Sequence, residues 1–307
     1  MIVLVTGVNG FVGHHLTREL AERGHTVFGL GQQDELSRNL GGIVARYYKT
    51  DLTDKRQVEQ LPLEVFDSII NLAGLANVGA SFNNPERYMN VNVGVVSALG
   101  EVLLNKNPDC RILAISTGAV YYSNQPLPLT EKSRLVISGS PYSLSKVSME
   151  KTVYELSEKG LNCIIARPFN HFGPGQTIGF LLPDLKEKII QASKSDGIIN
   201  VGDLSTRRDY TDVRDVAKAY ADLASSQSLE HNLFNICSGT SRSGQEILNQ
   251  VLAGMGLTDK IKIETDHSLV RPNDPRELYG SYARIAEETG WQPSISFEQS
   301  VRDFIES

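Results

Sequence analysis

Met1-Ile2-Val3-Leu4-Val5-Thr6-Gly7-Val8-Asn9-Gly10-Phe11-Val12-Gly13 opens the chain, and its reading decides the fold. An apolar run ends at Thr6, glycines follow at 7, 10 and 13, and Phe11, Val12, His15, Leu16 and Leu20 then mark a helical stripe. Glycines so placed allow a tight turn, close approach of the backbone to a pyrophosphate, and tight packing of helix on strand. The N-terminus of the helix then faces the phosphates. A glycine triplet alone is weak evidence. Between a first strand and an amphipathic helix it predicts a dinucleotide site at Gly7, Asn9, Gly10, Phe11, Val12 and Gly13.

Working outward, apolar runs recur at 2–5, 26–30, 44–48, 68–73, 111–115 and 162–166. Helical patterns lie between them at Phe11–Arg23, Glu86–Asn105 and Tyr142–Lys159. Runs that are apolar on both faces belong to a sheet covered on each side. Repeated strand–helix units predict an α/β, doubly wound parallel sheet of the Rossmann type. The pattern loosens after Arg167. Further elements are expected at Leu182–Ser193, Ile198–Val201, Asp212–Ala224, Leu233–Ile236, Gly244–Met255 and Ile261–Ile263, then two closing helices. Ser296-Phe297-Glu298-Gln299 reads as a capping box for the last. The expected division is a dinucleotide-binding domain over 1–170, with 211–236 returning to it. A smaller α/β substrate-binding region takes 171–210 and 237–307.

Composition narrows the function. The 307 residues are 40% hydrophobic and 21% charged with net charge −6, ordinary for a soluble globular protein. Without basic runs, nucleic acid is not an expected partner. Cys110, Cys163 and Cys237 are widely spaced, and the histidines form no ligand pattern, so neither a disulfide framework nor a metal site is expected. No apolar run approaches the roughly 20 residues that span a bilayer. The chain opens on a strand, so neither a signal peptide nor a membrane partner is expected, and the expected location is the cytoplasm.

The second strand bears on the choice of dinucleotide. A carboxylate at its end would accept the ribose hydroxyls of NAD. Here Thr26-Val27-Phe28-Gly29-Leu30-Gly31-Gln32-Gln33 places Gly31 where the acid is expected. NADP is the favoured cofactor, with NAD open. Arg38 or Arg46 would meet a 2′-phosphate, and Gln32 lies beside the ribose. Asp51-Leu52 would border the adenine, and Leu72-Ala73-Gly74 ends the fourth strand at the cofactor edge.

The chemistry is carried by Ser140-Pro141-Tyr142-Ser143-Leu144-Ser145-Lys146, with Thr117 upstream. Residues at i and i+4 share a helix face. An ammonium beside a phenol favours phenolate, and so does the first turn of a helix. Ser140 is a good N-cap and Pro141 suits the first helical position. Tyr142 is therefore expected as an acid/base with a lowered pKa.

Together these residues resemble the extended short-chain dehydrogenase/reductases, in the NAD-dependent epimerase/dehydratase branch acting on nucleotide sugars. The likeness rests on 6–13, Asn71-Leu72-Ala73-Gly74, Asn92, Ser116-Thr117, Tyr142-x-x-x-Lys146 and Arg167-Pro168-Phe169-Asn170, and covers nearly the whole chain. It implies that Tyr142 is the acid/base, Lys146 binds the nicotinamide ribose, and Thr117 bonds the reacting oxygen. The dehydratases of this branch carry an acidic pair where this chain has Gly118 and Ala119. The 3,5-epimerase/reductases place a cysteine near this segment, which none of the three cysteines matches.

Arg167–Gln176 and Arg208–Val216 resemble the corresponding segments of GDP-4-keto-6-deoxy-D-mannose reductases. That likeness implies that Asn170, Arg208 and Arg271 hold the diphosphate of a nucleotide sugar, GDP-linked by expectation, with Lys186 near the nucleotide. Guanidinium forks suit a diphosphate. For Arg208 a surface ion pair with its neighbours is the alternative; His171 could be read as a proton donor, but a turn histidine packed after a strand is the favoured reading. Reduction of a 4-keto-6-deoxyhexose is the expected activity. C4 epimerisation or 4,6-dehydration with bound cofactor, and a non-catalytic redox sensor, are the rivals. Relatives imply a homodimer.

Overall fold

The computed structural model describes residues 1–269 and 275–307. Its strands are β1 (Ile2–Thr6), β2 (Thr26–Gly31), β3 (Val44–Lys49), β4 (Ser68–Asn71), β5 (Arg111–Ile115), β6 (Cys163–Pro168), β7 (Asn170–Phe172), β8 (Ile198–Val201), β9 (Arg207–Asp212), β10 (Leu233–Ile236), β11 (Ser241–Ser243), β12 (Lys262–Thr265) and β13 (Glu277–Leu278). Its helices are α1 (Phe11–Glu22), α2 (Lys55–Glu59), α3 (Val78–Ser81), α4 (Pro85–Lys106), α5 (Pro141–Glu158), α6 (Leu181–Ser193), α7 (Val213–Ser225), α8 (Gly244–Gly254), α9 (Ala283–Thr289) and α10 (Phe297–Glu306).

The expected doubly wound sheet is present. Seven parallel strands run in the order β10-β6-β5-β4-β1-β2-β3. Along β1, Val3 and Val5 join Leu16, Tyr220 and Phe234 in one core, while Leu4 joins Ile69, Leu99, Ile112 and Val153 in another. Alternation of side chains across a strand places those cores on opposite faces. Helices α1 and α7 pack together, and so do α4 and α5. Strands β4 and β6, covered on both sides, are buried from end to end. The strand order reverses between β1 and β4, and such a reversal leaves a crevice at the C-terminal strand ends.

The later residues build a second sheet, in which β9 pairs with β7, β11 and β13. A third core gathers Phe172, Leu185, Ile189, Val201, Leu248, Val251, Phe297 and Phe304. Strand β10 leaves this region and pairs with β6, Phe234 opposite Ala166.

Helix starts follow local chemistry. Ser140 Oγ accepts from the Ser143 amide at 3.1 Å, with Pro141 in the first turn. The expected capping box at Ser296 is only half formed. Ser296 caps the Gln299 amide at 3.2 Å, but the Gln299 side chain donates forward to Asp303 and accepts from Arg302. Two charged partners on the helix surface outbid one backbone N–H. The full box forms at Ser243 and Glu246 instead. Among the described residues, no helix is long and apolar enough to cross a membrane.

Candidate active site

The glycine loop joins β1 to α1 at the reversal point. Gly7 has φ of +65°, which a side chain rarely tolerates. A Cβ at Gly13 would lie 2.5 Å from the Val8 carbonyl oxygen, so α1 can pack this closely only on glycine. Gly10, the N-cap of α1, brings no side chain to its first turn. The first amides of the helix thus keep their capacity for an anion. Thr6 Oγ1 donates to Asn71 Oδ1 at 2.7 Å and accepts from the Ala73 amide at 3.0 Å, tying the end of β1 to Leu72-Ala73-Gly74. A Cβ at Gly74 would come within 2.9 Å of Asn92 Oδ1 and 3.6 Å of Lys146 Nζ. These bare glycines form a cradle that fits a dinucleotide.

Asn9 clamps the loop after β2. Its amide donates to the Glu35 carbonyl at 2.9 Å, and its oxygen accepts from the Ser37 amide at 2.9 Å. A Cβ at Gly31 would meet the Tyr47 hydroxyl and Gln33 Oε1, each at 2.8 Å, so these two side-chain ends would have to move aside. Gln32 donates to Asp51 at 3.2 Å, so these two expected residues adjoin. Leu52 buries its side chain in the core. Asp34 pairs with Lys49 at 2.5 Å. Arg46 stacks on Tyr48 at 5.0 Å, whereas Arg38 is exposed in the clamped loop.

Thr117, Tyr142 and Lys146 come together. The Thr117 hydroxyl accepts from the Ala119 amide at 3.1 Å and stands beside the Tyr142 phenol, whose ionised form it favours. Lys146 Nζ donates to the Ile115 carbonyl at 2.7 Å. The expected lowering of the Tyr142 pKa is corrected. Burial raises it, Thr117 opposes this, and the nearby Tyr88 adds to the rise. The phenol is only 7% exposed, and loss of water outweighs the helix dipole. Burial instead lowers Lys146, to about 8, against the pull of Glu150.

Around the triad, Asn92 accepts from the Leu75 amide at 2.8 Å and donates to Ser145 Oγ at 2.9 Å. Tyr88 meets the Tyr142 ring edge-on and donates to the Asn77 carbonyl at 2.5 Å. Neither Gly118 nor Ala119 supplies an acid. A Cβ at Gly118 would stand 3.0 Å from the Phe169 ring.

Glu150 escaped the sequence reading. It is 1% exposed and bonds Arg167, itself 2% exposed, at 2.8 and 2.6 Å, while also accepting from Ser116. Burial works against the Arg167 charge, but the bonds and charge of Glu150 raise its pKa above the ordinary value. The available signal was spacing: Glu150 follows Lys146 as Lys146 follows Tyr142.

The expected substrate residues divide. Asn170 opens β7 with its side chain exposed. Arg208, on β9, donates through Nη1 to the carbonyls of Arg207 at 2.7 Å and Pro275 at 2.8 Å. Its neighbour Asp209 is turned inward, accepting from the Ser238 amide and hydroxyl and the Gly239 amide. Lys186 has protein partners that the sequence did not suggest. Its Nζ donates to the carbonyls of Phe304 at 3.2 Å and Ile305 at 2.9 Å, holding the end of α10. Arg271 lies outside the described residues. His171 stacks on Phe11 with ring centroids 6.3 Å apart, and burial lowers its pKa. His15 accompanies that contact through the Pro174 carbonyl at 2.9 Å.

All three cysteines are buried and free, and burial pushes the thiols of Cys110 and Cys163 up to about 12. Among the described residues, no group of three or more His, Cys, Asp or Glu side chains could hold a metal ion.

The family model for GDP-mannose 4,6-dehydratase matches residues 4–304. A GDP-6-deoxy-D-mannose reductase of Pseudomonas aeruginosa is 31% identical over 98% of this chain and 94% of its own. The solved structure of RMD from Pseudomonas aeruginosa complexed with NADPH has a TM-score of 0.85 at 29% identity, covering 99% of this chain and 97% of that one. The Thermus thermophilus UDP-glucose 4-epimerase complex with NAD has a TM-score of 0.84 at 26% identity, covering 100% and 98%.

Proposed function

Because the chain belongs to the GDP-mannose 4,6-dehydratase family of extended short-chain dehydrogenases/reductases, we propose that it is an enzyme reducing a nucleotide-linked 4-keto-6-deoxyhexose. The preferred substrate is GDP-4-keto-6-deoxy-D-mannose, and the product is GDP-D-rhamnose or its C4 epimer. NADPH is the preferred cofactor. The absence of a carboxylate at Gly31 and the RMD complex with NADPH both favour it.

The observation that carries this reading is the triad with no acid at the two positions after Thr117. Tyr142 and Lys146 share a face of α5, with Thr117 beside the phenol and the Ile115 carbonyl on the ammonium, while Gly118 and Ala119 offer nothing to remove a proton or expel water. When bound, the nicotinamide supplies the hydride. Tyr142 Oη gives its proton to the C4 oxygen as negative charge develops there, and the Thr117 hydroxyl shares that charge. A phenol with a raised pKa suits this direction, since it remains protonated at neutral pH and is ready to donate. Lys146, a cation below about pH 8, would hold the nicotinamide ribose beside Gly74 and Asn92. Asn170 and Arg208 would take the diphosphate, the role that the sequence resemblance also gives to Arg271.

The test mixes protein, NADPH and GDP-4-keto-6-deoxy-D-mannose and follows absorbance at 340 nm with product identification. Stoichiometric oxidation is expected. No oxidation of NADPH or NADH would end this assignment. The likeness to a UDP-glucose 4-epimerase complexed with NAD favours a second reading, C4 epimerisation with a retained cofactor. That reading predicts cofactor co-purifying with the protein and no net oxidation.

A further inference from the structure

Tyr142, Lys146 and Glu150 follow one another at four-residue spacing, so they form a single stripe on α5. The stripe engages consecutive residues at the end of β5. Tyr142 meets the Thr117 hydroxyl, Lys146 donates to the Ile115 carbonyl at 2.7 Å, and Glu150 accepts from the Ser116 hydroxyl. Glu150 also carries the contact sideways. Its two oxygens take Arg167 Nε at 2.8 Å and Nη2 at 2.6 Å on β6. Arg167 Nη1 donates at 2.9 Å to the Tyr121 hydroxyl, which donates at 2.6 Å to Asn235 on β10.

We propose that Glu150 is a positioning residue for the reaction: by gripping Ser116 and Arg167 together it fixes α5 on the sheet, so that Lys146 and Tyr142 stand in register with Thr117. The inference rests on reading Thr117, Tyr142 and Lys146 as the reacting residues.

Physical reasoning favours a role beyond cohesion. A buried ion pair gains little over apolar residues of similar volume, because both ions lose their water. Two leucines would glue α5 to β6 as well. They would not bond the Ser116 hydroxyl, nor set a negative charge one turn below the buried ammonium of Lys146, which Glu150 stabilises.

The test separates cohesion from positioning. Glu150→Gln alone leaves Arg167 buried without its counter-charge and is expected to lower Tm. The double variant E150Q/R167M removes both charges and is expected to recover it. Titration calorimetry then compares NADPH, NADH and ADP, which lacks the nicotinamide ribose. The double variant is expected to bind ADP within about twofold of the parent but both dinucleotides roughly tenfold more weakly, the loss of one charge-assisted bond. Ser116→Ala, which keeps the ion pair, is expected to weaken NADPH about threefold and leave ADP and Tm unchanged.

A folded double variant with parental affinity for NADPH would overturn the proposal. If the double variant does not fold, parental NADPH affinity in Ser116→Ala overturns it equally. A parent protein that binds NADPH yet reduces no GDP-4-keto sugar overturns the substrate reading alone. A parent that binds neither dinucleotide overturns both.

Discussion

On α5, Lys146 and Glu150 are 8% and 1% exposed, and the stripe they share meets side chains and one carbonyl at the end of β5. In the later region, Lys186 and Arg208 are half-buried and grip backbone carbonyls of α10 and of Pro275. The two regions use similar charges to different ends. Burial beside a carboxylate changes how tightly a group holds its proton, which is the property that proton transfer uses. Gripping a carbonyl fixes a segment and shapes a binding surface. Variants on α5 should therefore act on proton transfer, on the protonation that couples to stability and on the grip of the cofactor, and variants in the later region should alter sugar affinity or local stability.

The largest effect tests the first half of that contrast. Tyr142→Phe is expected to reduce kcat by about three orders of magnitude with KM and Tm little changed, as steady-state kinetics would report. A comparable fall in Tm would mean that the phenol is structural. Next comes Lys146→Met. The buried ammonium has its pKa lowered to about 8, so the folded state opposes its charge at neutral pH. Removing it should stabilise the cofactor-free protein by about 3 kcal/mol below pH 8, a gain that fades as pH rises toward 10.5 and both states of the parent lose the proton. Urea unfolding at pH 7 and pH 10 reads this directly, and activity should be lost.

In the later region, Arg208→Lys is expected to raise KM for the nucleotide sugar about tenfold and leave kcat nearly unchanged, since an ammonium cannot form the guanidinium fork. A fall in kcat instead would erase the contrast. Lys186→Met should have the smallest effect, about 1 kcal/mol lost in urea unfolding from the freed end of α10, with KM unchanged. A rise in KM would place Lys186 near the nucleotide.

Legibility followed the range of the interactions. The glycine loop, the central strands and the cap at Ser140 rest on neighbours in sequence, and local pattern is what a sequence displays. Glu150 obeyed the same spacing as Lys146, yet its meaning depends on Arg167 from β6 and Ser116 from β5, which only the fold brings together. Tyr142 was misread because a charge four residues away is visible in sequence, whereas the burial that outweighs it is not. The bonds of Lys186 are hidden from the sequence for a similar reason: its carbonyl partners lie at the far end of the chain.

Strand β10 carries a consequence for how the protein comes into being. A ribosome releases the glycine loop, the α5 stripe and Arg167 long before residues 233–236. Until then β6 has an open edge, and the Tyr121 hydroxyl lacks its Asn235 acceptor. Order of synthesis and order of completion therefore differ. Strands β7 and β9 of the second sheet are translated before the strand that closes the first, and β11 and β13 after it, so a nascent chain stalled at residue 200 holds every member of the triad within an unfinished wall.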